Sequence, residues 1–321
     1  MKFEITFKMK NILILILLTV LIQPVDSQSN VRLNNFWENT YYINPASIND
    51  EYQTVFSMSA RKQWINFPGA PSTLFATAVT NLDKIHTQFG VKTYVDKIGY
   101  TSTSNLSLSY AYTVTLNADL LMNLGLSANY QSLSYNASEA NLTTDGDPAV
   151  YKNLVNTNNY NADLGIEFAY RTLIMGASAQ NLFSLFHPKN SLQSNTNFLY
   201  AMYRNYESKL INLGYGICAI KSSSLYQLEL NFSTYFRISP DPNYLQLGIF
   251  YRTRKEMGAI VGIDLTNSMH LSYSYDFNVS GISRSSIGTQ ELMLIFKLHK
   301  YPDCRPCRIY GDYYPRVNKD L

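Results

Sequence analysis

Hydrophobic and polar residues alternate one by one over long stretches of the chain, a pattern that indicates β-strands with two different faces. In the clearest stretch, 119–131, one face carries apolar side chains and the other carries mostly asparagine, serine, glycine and glutamine. The stretches 105–116 and 226–237 repeat this alternation over twelve residues each. Shorter versions occupy 163–171, 244–252 and 269–278. The chain is therefore predicted to be all-β.

Three properties of these stretches favour a membrane-spanning barrel over a soluble β-sandwich. Several reach ten residues or more, and a tilted spanning strand needs about 9–11 residues, whereas a soluble strand is usually about 5–6 long. Their apolar faces carry no charge, as expected where a lysine or arginine facing lipid would cost about 2–4 kcal/mol. Their opposite faces mix small and charged residues, which suits a wet lumen. We predict a transmembrane antiparallel β-barrel of the outer membrane.

Fourteen strands can be counted. They are predicted at 52–63, 72–81, 87–95, 101–116, 118–134, 159–170, 172–181, 196–206, 209–220, 225–237, 243–252, 257–265, 268–278 and 289–298. The long connections, 64–71, 135–158, 182–195 and 279–288, all fall at one end of the barrel. Outer-membrane barrels have long outer loops and short periplasmic turns, so this end is predicted to face outward. With an even strand count, both termini are predicted to be periplasmic.

The two ends of the chain lack the strand pattern. Residues 1–27 combine a lysine-containing start with the apolar run Ile12 to Ile22, which is the form of a secretory signal peptide. That run is shorter than the about 20 residues a spanning helix needs. The remaining chain divides into an N-terminal periplasmic segment (28–51), the barrel (52–298) and a periplasmic tail (299–321).

The tail contains two of the three cysteines, Cys304 and Cys307. In an oxidising compartment they are a candidate disulfide. Two free thiols remain an alternative, and a redox or metal pair is the weaker reading because only two ligands are visible.

The remaining composition points away from catalysis and nucleic acid. The formal net charge is only +3, without a run of basic residues, so no nucleic-acid surface is expected. The four histidines show no metal-ligand spacing, and neither a phosphate-binding glycine loop nor a nucleophile elbow is present. We expect no enzyme activity, no cofactor, no metal and no small-molecule substrate.

Six charged residues are predicted to point into the lumen. Either they line a polar pore, or they form a charge network that fills a closed barrel, since buried charges are normally paired. They are Glu167, Arg171, Glu229, Arg237, Arg252 and Asp264.

The stretch 61–73, RKQWINFPGAPST, interrupts the alternation with a tryptophan, two prolines and a glycine. A strand end, an interfacial aromatic residue and a turn explain Trp64 and the prolines. They do not explain Arg61 and Gln63 beside that tryptophan, or an apolar loop that faces outward.

This stretch also resembles a known family. Asn44-Pro-Ala, Arg61-Lys-Gln-Trp64 and Gly69-Ala-Pro resemble the start of the PorP/SprF family of Bacteroidetes membrane proteins. Phe89-Gly90 with the Asp-Lys-Ile-Gly of 96–99 is similar to its next block. Leu271 to Asp276, Ser280-Gly281 and Gly288 to Leu292 are similar to its closing hairpin.

The resemblance implies an outer-membrane barrel of the type IX secretion system. Its expected partners are secretion components, cargo with a C-terminal sorting domain such as a gliding adhesin, and outer-membrane lipid. We further predict that the stretch 61–73 is part of a partner-binding surface at the outer rim, because an apolar loop can bury well against another protein and tryptophan and arginine are frequent interface anchors. The candidate residues of this surface are Arg61, Gln63, Trp64, Phe67, Pro68, Gly69 and Pro71. A passive diffusion channel is the alternative function.

Overall fold

The computed structural model describes residues 31–48, 52–117, 119–135, 156–187, 192–205, 210–223, 225–238, 243–253, 256–278 and 288–299. These residues form one closed antiparallel barrel of fourteen strands. The strands are β1 (Tyr52–Lys62), β2 (Ser72–Leu82), β3 (Thr87–Ile98), β4 (Thr101–Asn117), β5 (Leu120–Tyr135), β6 (Thr157–Tyr170), β7 (Leu173–Gln180), β8 (Thr196–Arg204), β9 (Ile211–Ser222), β10 (Leu225–Arg237), β11 (Tyr244–Arg252), β12 (Glu256–Thr266), β13 (Met269–Asn278) and β14 (Thr289–His299).

The topology is that of an up-and-down barrel. Each strand pairs with the strands before and after it, and β1 pairs with β14 to close the ring, with Arg61 opposite Glu291. The predicted fourteen-stranded antiparallel barrel is thereby confirmed. Some boundaries differ by a few residues: β3 continues to Ile98, beyond the predicted end at 95.

The outer surface of the ring is apolar because the alternation turns every second residue outward. On β4 and β5, Leu106, Leu108 and Leu126 are each about half exposed on this surface. A wall of this kind on a water-soluble protein would be an unusually large apolar patch. In a transmembrane barrel it is the surface that contacts lipid.

The two ends of the barrel differ in their connections. The short-turn end carries 83–86, 118–119, 171–172, 205–210, 238–243 and 267–268. The long-loop end carries 63–71, 99–100, 136–156, 181–195, 223–224, 253–255 and 279–288. The four longest connections, 63–71, 136–156, 181–195 and 279–288, all lie at the same end, as predicted. The outward orientation of this end remains a prediction. Within the described residues, no helix is long and apolar enough to span a membrane.

Residues 31–48, which we call the plug, lie inside the ring. None of them is exposed, and Leu33, Asn34, Asn44 and Ala46 have no accessible surface. This corrects the expected periplasmic position for 31–48, the described part of the predicted segment 28–51. These residues carry no strand pattern, which led to their assignment outside the barrel. The predicted signal peptide, the candidate Cys304–Cys307 disulfide and the tail beyond His299 lie outside the described residues.

The apolar outer wall gives a first prediction. Replacing Leu108, which faces outward in the middle of β4, with arginine should destabilise the barrel in lipid by about 2–4 kcal/mol. Ser102 shares that face at the strand end and lies opposite Lys97, so Ser102→Arg should cost about 0–1 kcal/mol. Equilibrium unfolding in lipid vesicles measures both changes, and equal losses would contradict a lipid boundary between the two positions.

Candidate functional site: the filled lumen and the 63–71 loop

The plug is a compact irregular segment held by its own hydrogen bonds. Two short 3₁₀ helices, Asn35–Glu38 and Thr40–Tyr42, are followed by a turn over Asn44–Ser47. In the turn, the Asn44 side-chain oxygen accepts from the Ala46 amide at 2.9 Å, and the Ser47 amide donates to the Asn44 carbonyl at 3.1 Å. An asparagine that accepts from the backbone two residues ahead is a common turn former. The Asn44-Pro-Ala element of the family resemblance thus forms a turn, and this turn lies in the lumen.

The plug contacts the whole circumference of the barrel. Side chains or carbonyls of β1–β4, β6–β8 and β10–β14 hydrogen-bond to it. The two other strands, β5 and β9, approach it through glycines: Gly125 faces Pro45 and Ala46, and Gly216 faces the Trp37 ring. All fourteen strands therefore take part in positioning one segment.

Glycines on the inner wall make room for the plug. Gly125 and Gly165 lie directly opposite each other on β5 and β6. A Cβ at Gly125 would lie 2.5 Å from the Ala46 nitrogen, and one at Gly165 would overlap the Asn44 side chain. A glycine in a strand marks the close approach of another backbone. Here it explains why the Asn44-Pro45-Ala46 turn can lie flat against the wall.

Asn34 holds the plug near the long-loop end. Its amide donates to Glu291 Oε2 at 2.7 Å and its side-chain nitrogen donates to Asp276 Oδ1 at 2.6 Å. Its side-chain oxygen accepts from Arg61 Nη1 at 2.8 Å and from Arg252 Nη2 at 2.9 Å. We call these five residues, together with Glu229, the upper anchor.

The charges of the upper anchor are paired with one another. Arg252 Nε lies 2.5 Å from Glu229 Oε2, and neither side chain is exposed. Arg61 bridges Asp276 at 3.3 Å and Glu291 at 3.4 Å. Removing one partner of such a buried set leaves an uncompensated charge, which is strongly destabilising. The upper anchor therefore depends on every member.

Glu38 holds the plug near the short-turn end. Its carboxylate accepts from Arg204 Nη2 at 2.9 Å, from the Tyr235 hydroxyl at 2.8 Å and from Gln246 Nε2 at 2.9 Å. We call these four residues the lower anchor. Burial alone would raise the pKa of Glu38, but Arg204, His270 and the hydrogen bonds outweigh it and lower that pKa to about 2. The stabilisation from this ionised group is thus fully present above the ordinary glutamate pKa and is lost progressively as the pH falls from there through about 2.

Between the anchors, aromatic side chains of the plug form a hydrophobic core inside the barrel. Phe36, Trp37 and Tyr42 pack with inward-facing residues that include Phe75 and Tyr200. The Trp37 ring nitrogen also donates to Glu229 Oε1 at 2.9 Å. The cavities among the described residues include one of about 190 Å³ at the short-turn end and one of about 20 Å³ towards the long-loop end. Between the two anchors, the plug and the inward-facing side chains pack together and fill the lumen.

The six charges assigned to the lumen from the sequence do not share one environment. Glu167, Glu229 and Arg252 are fully buried inside the ring. Asp264 is half-buried, with its carboxylate 2.7 Å from His270 Nδ1, and Arg237 is half-buried at the end of β10.

Arg171 does not line the lumen. It lies on the 171–172 turn with a positive φ of 50°, and its largely exposed side chain pairs with Asp119 at 3.2 Å. The alternation that predicted its direction ends at the turn.

The residues proposed as a partner-binding surface are also divided. Arg61 is buried in the upper anchor and Pro71 is buried, so neither can contact a partner directly. Gln63 and Trp64 are half-buried, whereas Phe67, Pro68 and Gly69 are exposed. Only the tip of the loop is open to a partner.

The 63–71 loop has a defined shape. The Ile65 amide donates to the Gly288 carbonyl at 3.0 Å, the Gly99 amide donates to the Gly69 carbonyl at 3.0 Å, and Gln63 closes the loop onto Pro71 at 2.9 Å. Trp64 has φ 45° and Asn66 has φ 71°. Left-handed backbone costs of order 1–3 kcal/mol at a non-glycine residue and persists only where the surroundings hold it. The loop is thus fixed by both neighbouring connections.

Comparison with known proteins gave a family match over most of the chain. The family profile described as type IX secretion system membrane protein PorP/SprF matches residues 25–296. A comparison with curated proteins gave no match.

Solved structures with a similar arrangement are bacterial barrels of low sequence identity. The toluene transporter TbuX of Ralstonia pickettii is 8% identical with a TM-score of 0.48, over 81% of this chain and 93% of that chain. The toluene transporter TodX of Pseudomonas putida is 11% identical with a TM-score of 0.46, over 85% of this chain and 94% of that chain. A FadL homologue of Pseudomonas aeruginosa is 10% identical with a TM-score of 0.43, over 80% and 93%. At these scores, no property of these proteins is carried over.

The glycine pair under the plug gives a second prediction. Gly165→Leu should displace the Asn44–Ala46 turn, because the new side chain would occupy the position of Asn44. We expect a several-fold higher conductance in planar bilayers than for the unsubstituted chain. Ala162→Leu, on the same strand but at a partly exposed position of the opposite face, should leave conductance unchanged. A folded Gly165→Leu barrel with unchanged conductance would contradict the fit between plug and wall.

Proposed function

Since the chain belongs to the PorP/SprF family of type IX secretion system membrane proteins, we propose that it serves this system from the outer membrane through protein–protein contacts. Its role is to assist the export or surface attachment of a cargo protein with a C-terminal sorting domain, such as a gliding adhesin. Its partners are this cargo and other secretion components. The barrel itself supplies the anchorage in outer-membrane lipid, and no catalytic step is required of it.

The observation that carries this proposal is the filled lumen. A passive diffusion channel needs a continuous water-filled path lined by polar groups. Here Arg61, Glu229 and Glu291 on the inner wall hydrogen-bond to the plug instead. When the inner wall is occupied in this way, the two ends of the barrel are the surfaces that remain for other proteins to bind. This favours a role in protein–protein contacts over a diffusion channel.

The tip of the 63–71 loop is the proposed contact surface. Phe67 is about half exposed, and its ring packs edge-on against Trp64 with centroids 6.4 Å apart. The hydrogen bonds to Gly99 and Gly288 fix the loop before a partner arrives, so little conformational entropy remains to be lost on binding. Arg61 acts indirectly, by holding the end of β1 on which the loop is built.

This surface gives a third prediction. Phe67→Ala should remove an apolar anchor and weaken partner binding by about 2 kcal/mol or more if it is a hot spot, with the barrel intact. The measurement is a mild-detergent pull-down from native outer membranes, with a tag near the exposed Asn156 and quantification of co-purified proteins by mass spectrometry. We expect secretion components or a sorting-domain protein with the unsubstituted chain, and much less of them with Phe67→Ala.

Phe183 supplies the matched control. It lies in another connection at the long-loop end and is 50% exposed, against 49% for Phe67. Equal losses for Phe67→Ala and Phe183→Ala would assign the effect to general apolar exposure and reject the loop as the contact surface. If the unsubstituted barrel came down alone at matched expression, the diffusion channel would become the better account.

A further inference from the structure

The direction in which the chain runs through the lumen determines where its N-terminal end lies. The first described residues are at the long-loop end. Arg32 Nη1 donates to Glu256 Oε2 at 3.1 Å, and Glu256 is the first residue of β12, at that end. Arg32 also hydrogen-bonds to Gln227, near the long-loop end of β10. Asn34 follows in the upper anchor.

The chain then descends to the short-turn end, turns back towards the long-loop end and descends a second time. Glu38 reaches Arg204, the last residue of β8, at the short-turn end. The chain turns back as far as Tyr42, whose carbonyl accepts from Gln180 at 3.0 Å, and Gln180 is the last residue of β7, at the long-loop end. From there it descends again to Ile48, whose amide donates to Glu167 Oε1 at 2.6 Å, shortly before β1 begins at the short-turn end.

The space beneath Val31 is therefore occupied by the plug itself. Phe36, Trp37 and Tyr42 fill the lumen below it. The three residues that separate Val31 from the predicted cleavage point span at most about 10 Å when extended. That length cannot pass the plug and reach the short-turn end.

We infer that the amino terminus of the processed chain opens on the long-loop face of the barrel. The carboxy-terminal tail begins on the other face, because β14 ends at His299 opposite Tyr52 at the short-turn end. On this inference the amino terminus and the start of the carboxy-terminal tail lie on opposite sides of the membrane, which differs from the expectation that both termini are periplasmic.

The position of the terminus adds an element to that face. Arg61 belongs to the upper anchor and lies on β1 two residues before the 63–71 loop, and the plug begins three residues before Asn34. A partner on the long-loop face would therefore meet the Val31 end of the plug, whereas the Ile48 end leads towards β1 at the other face. This placement follows from the path of the chain and holds whether or not the 63–71 loop binds cargo.

Site-directed thiol labelling tests the placement in cells. Single cysteines would be introduced as Ser29→Cys, as Asn66→Cys on the 63–71 loop and as Asn267→Cys on the exposed 267–268 turn. The background would carry Cys304→Ser and Cys307→Ser to remove the two thiols of the tail. Cys218 can remain, because it is fully buried and the reagent does not reach it. A membrane-impermeant maleimide would be applied to intact and to permeabilised cells.

We expect Ser29→Cys to react under the same condition as Asn66→Cys and not under that of Asn267→Cys. If the whole barrel were inserted the other way round, the two marker positions would exchange, and agreement of position 29 with position 66 would still support the inference. Agreement with position 267 would overturn it, as would a Ser29→Cys chain that reacts in neither condition.

Discussion

Charges on the inner wall of this barrel are stable only because protein, and not water alone, supplies their partners. Arg252 and Glu229 are fully buried, and a pair of this kind repays its desolvation only when its remaining hydrogen-bonding groups are also satisfied. Asn34 provides this for the upper anchor, since its side chain can accept from two guanidinium groups and donate to a carboxylate at once. The plug therefore depends on the polar wall for its hydrogen bonds, and the buried charges of the wall depend on the plug for theirs.

The wall could be read from the sequence because lipid imposes its pattern. Every outward position in the membrane must be apolar, so the alternation around Leu106 and Leu126 locates a strand and its direction without knowledge of its neighbours. The same rule places Arg61 inward and Lys62 outward, as observed. Assigning Arg61 to a surface loop because Trp64 follows it gave proximity in sequence more weight than the alternation.

The position of the plug could not be predicted in this way, because apolar and polar residues do not alternate regularly over 31–48. Asn34, Asn35 and Asn44 are mixed with aromatic residues in short 3₁₀ helices and the turns beside them. The sequence of such a segment fits a polar stretch outside the barrel as well as a buried one. The alternating sequence of a strand is also the same whether its polar face contacts water or another part of the protein. The nearest signal was the pair of glycines at 125 and 165, in strands otherwise rich in larger side chains. Their meaning depends on pairing across β5 and β6, which one sequence does not show.

The closed ring around the plug has a consequence for the order of folding. The side chains of Trp37 and Tyr41 are buried inside the ring, so a ring that had already closed would have to reopen to admit them. The seam between β1 and β14 joins residues more than two hundred positions apart in the chain, and non-local contacts of this kind form slowly. With Arg61 on one side of the seam and Glu291 on the other, both bound to Asn34, the seam can complete its pairing around a plug that is already in place. The segment nearest the start of the mature chain would then act as an internal template on which the first and last strands meet.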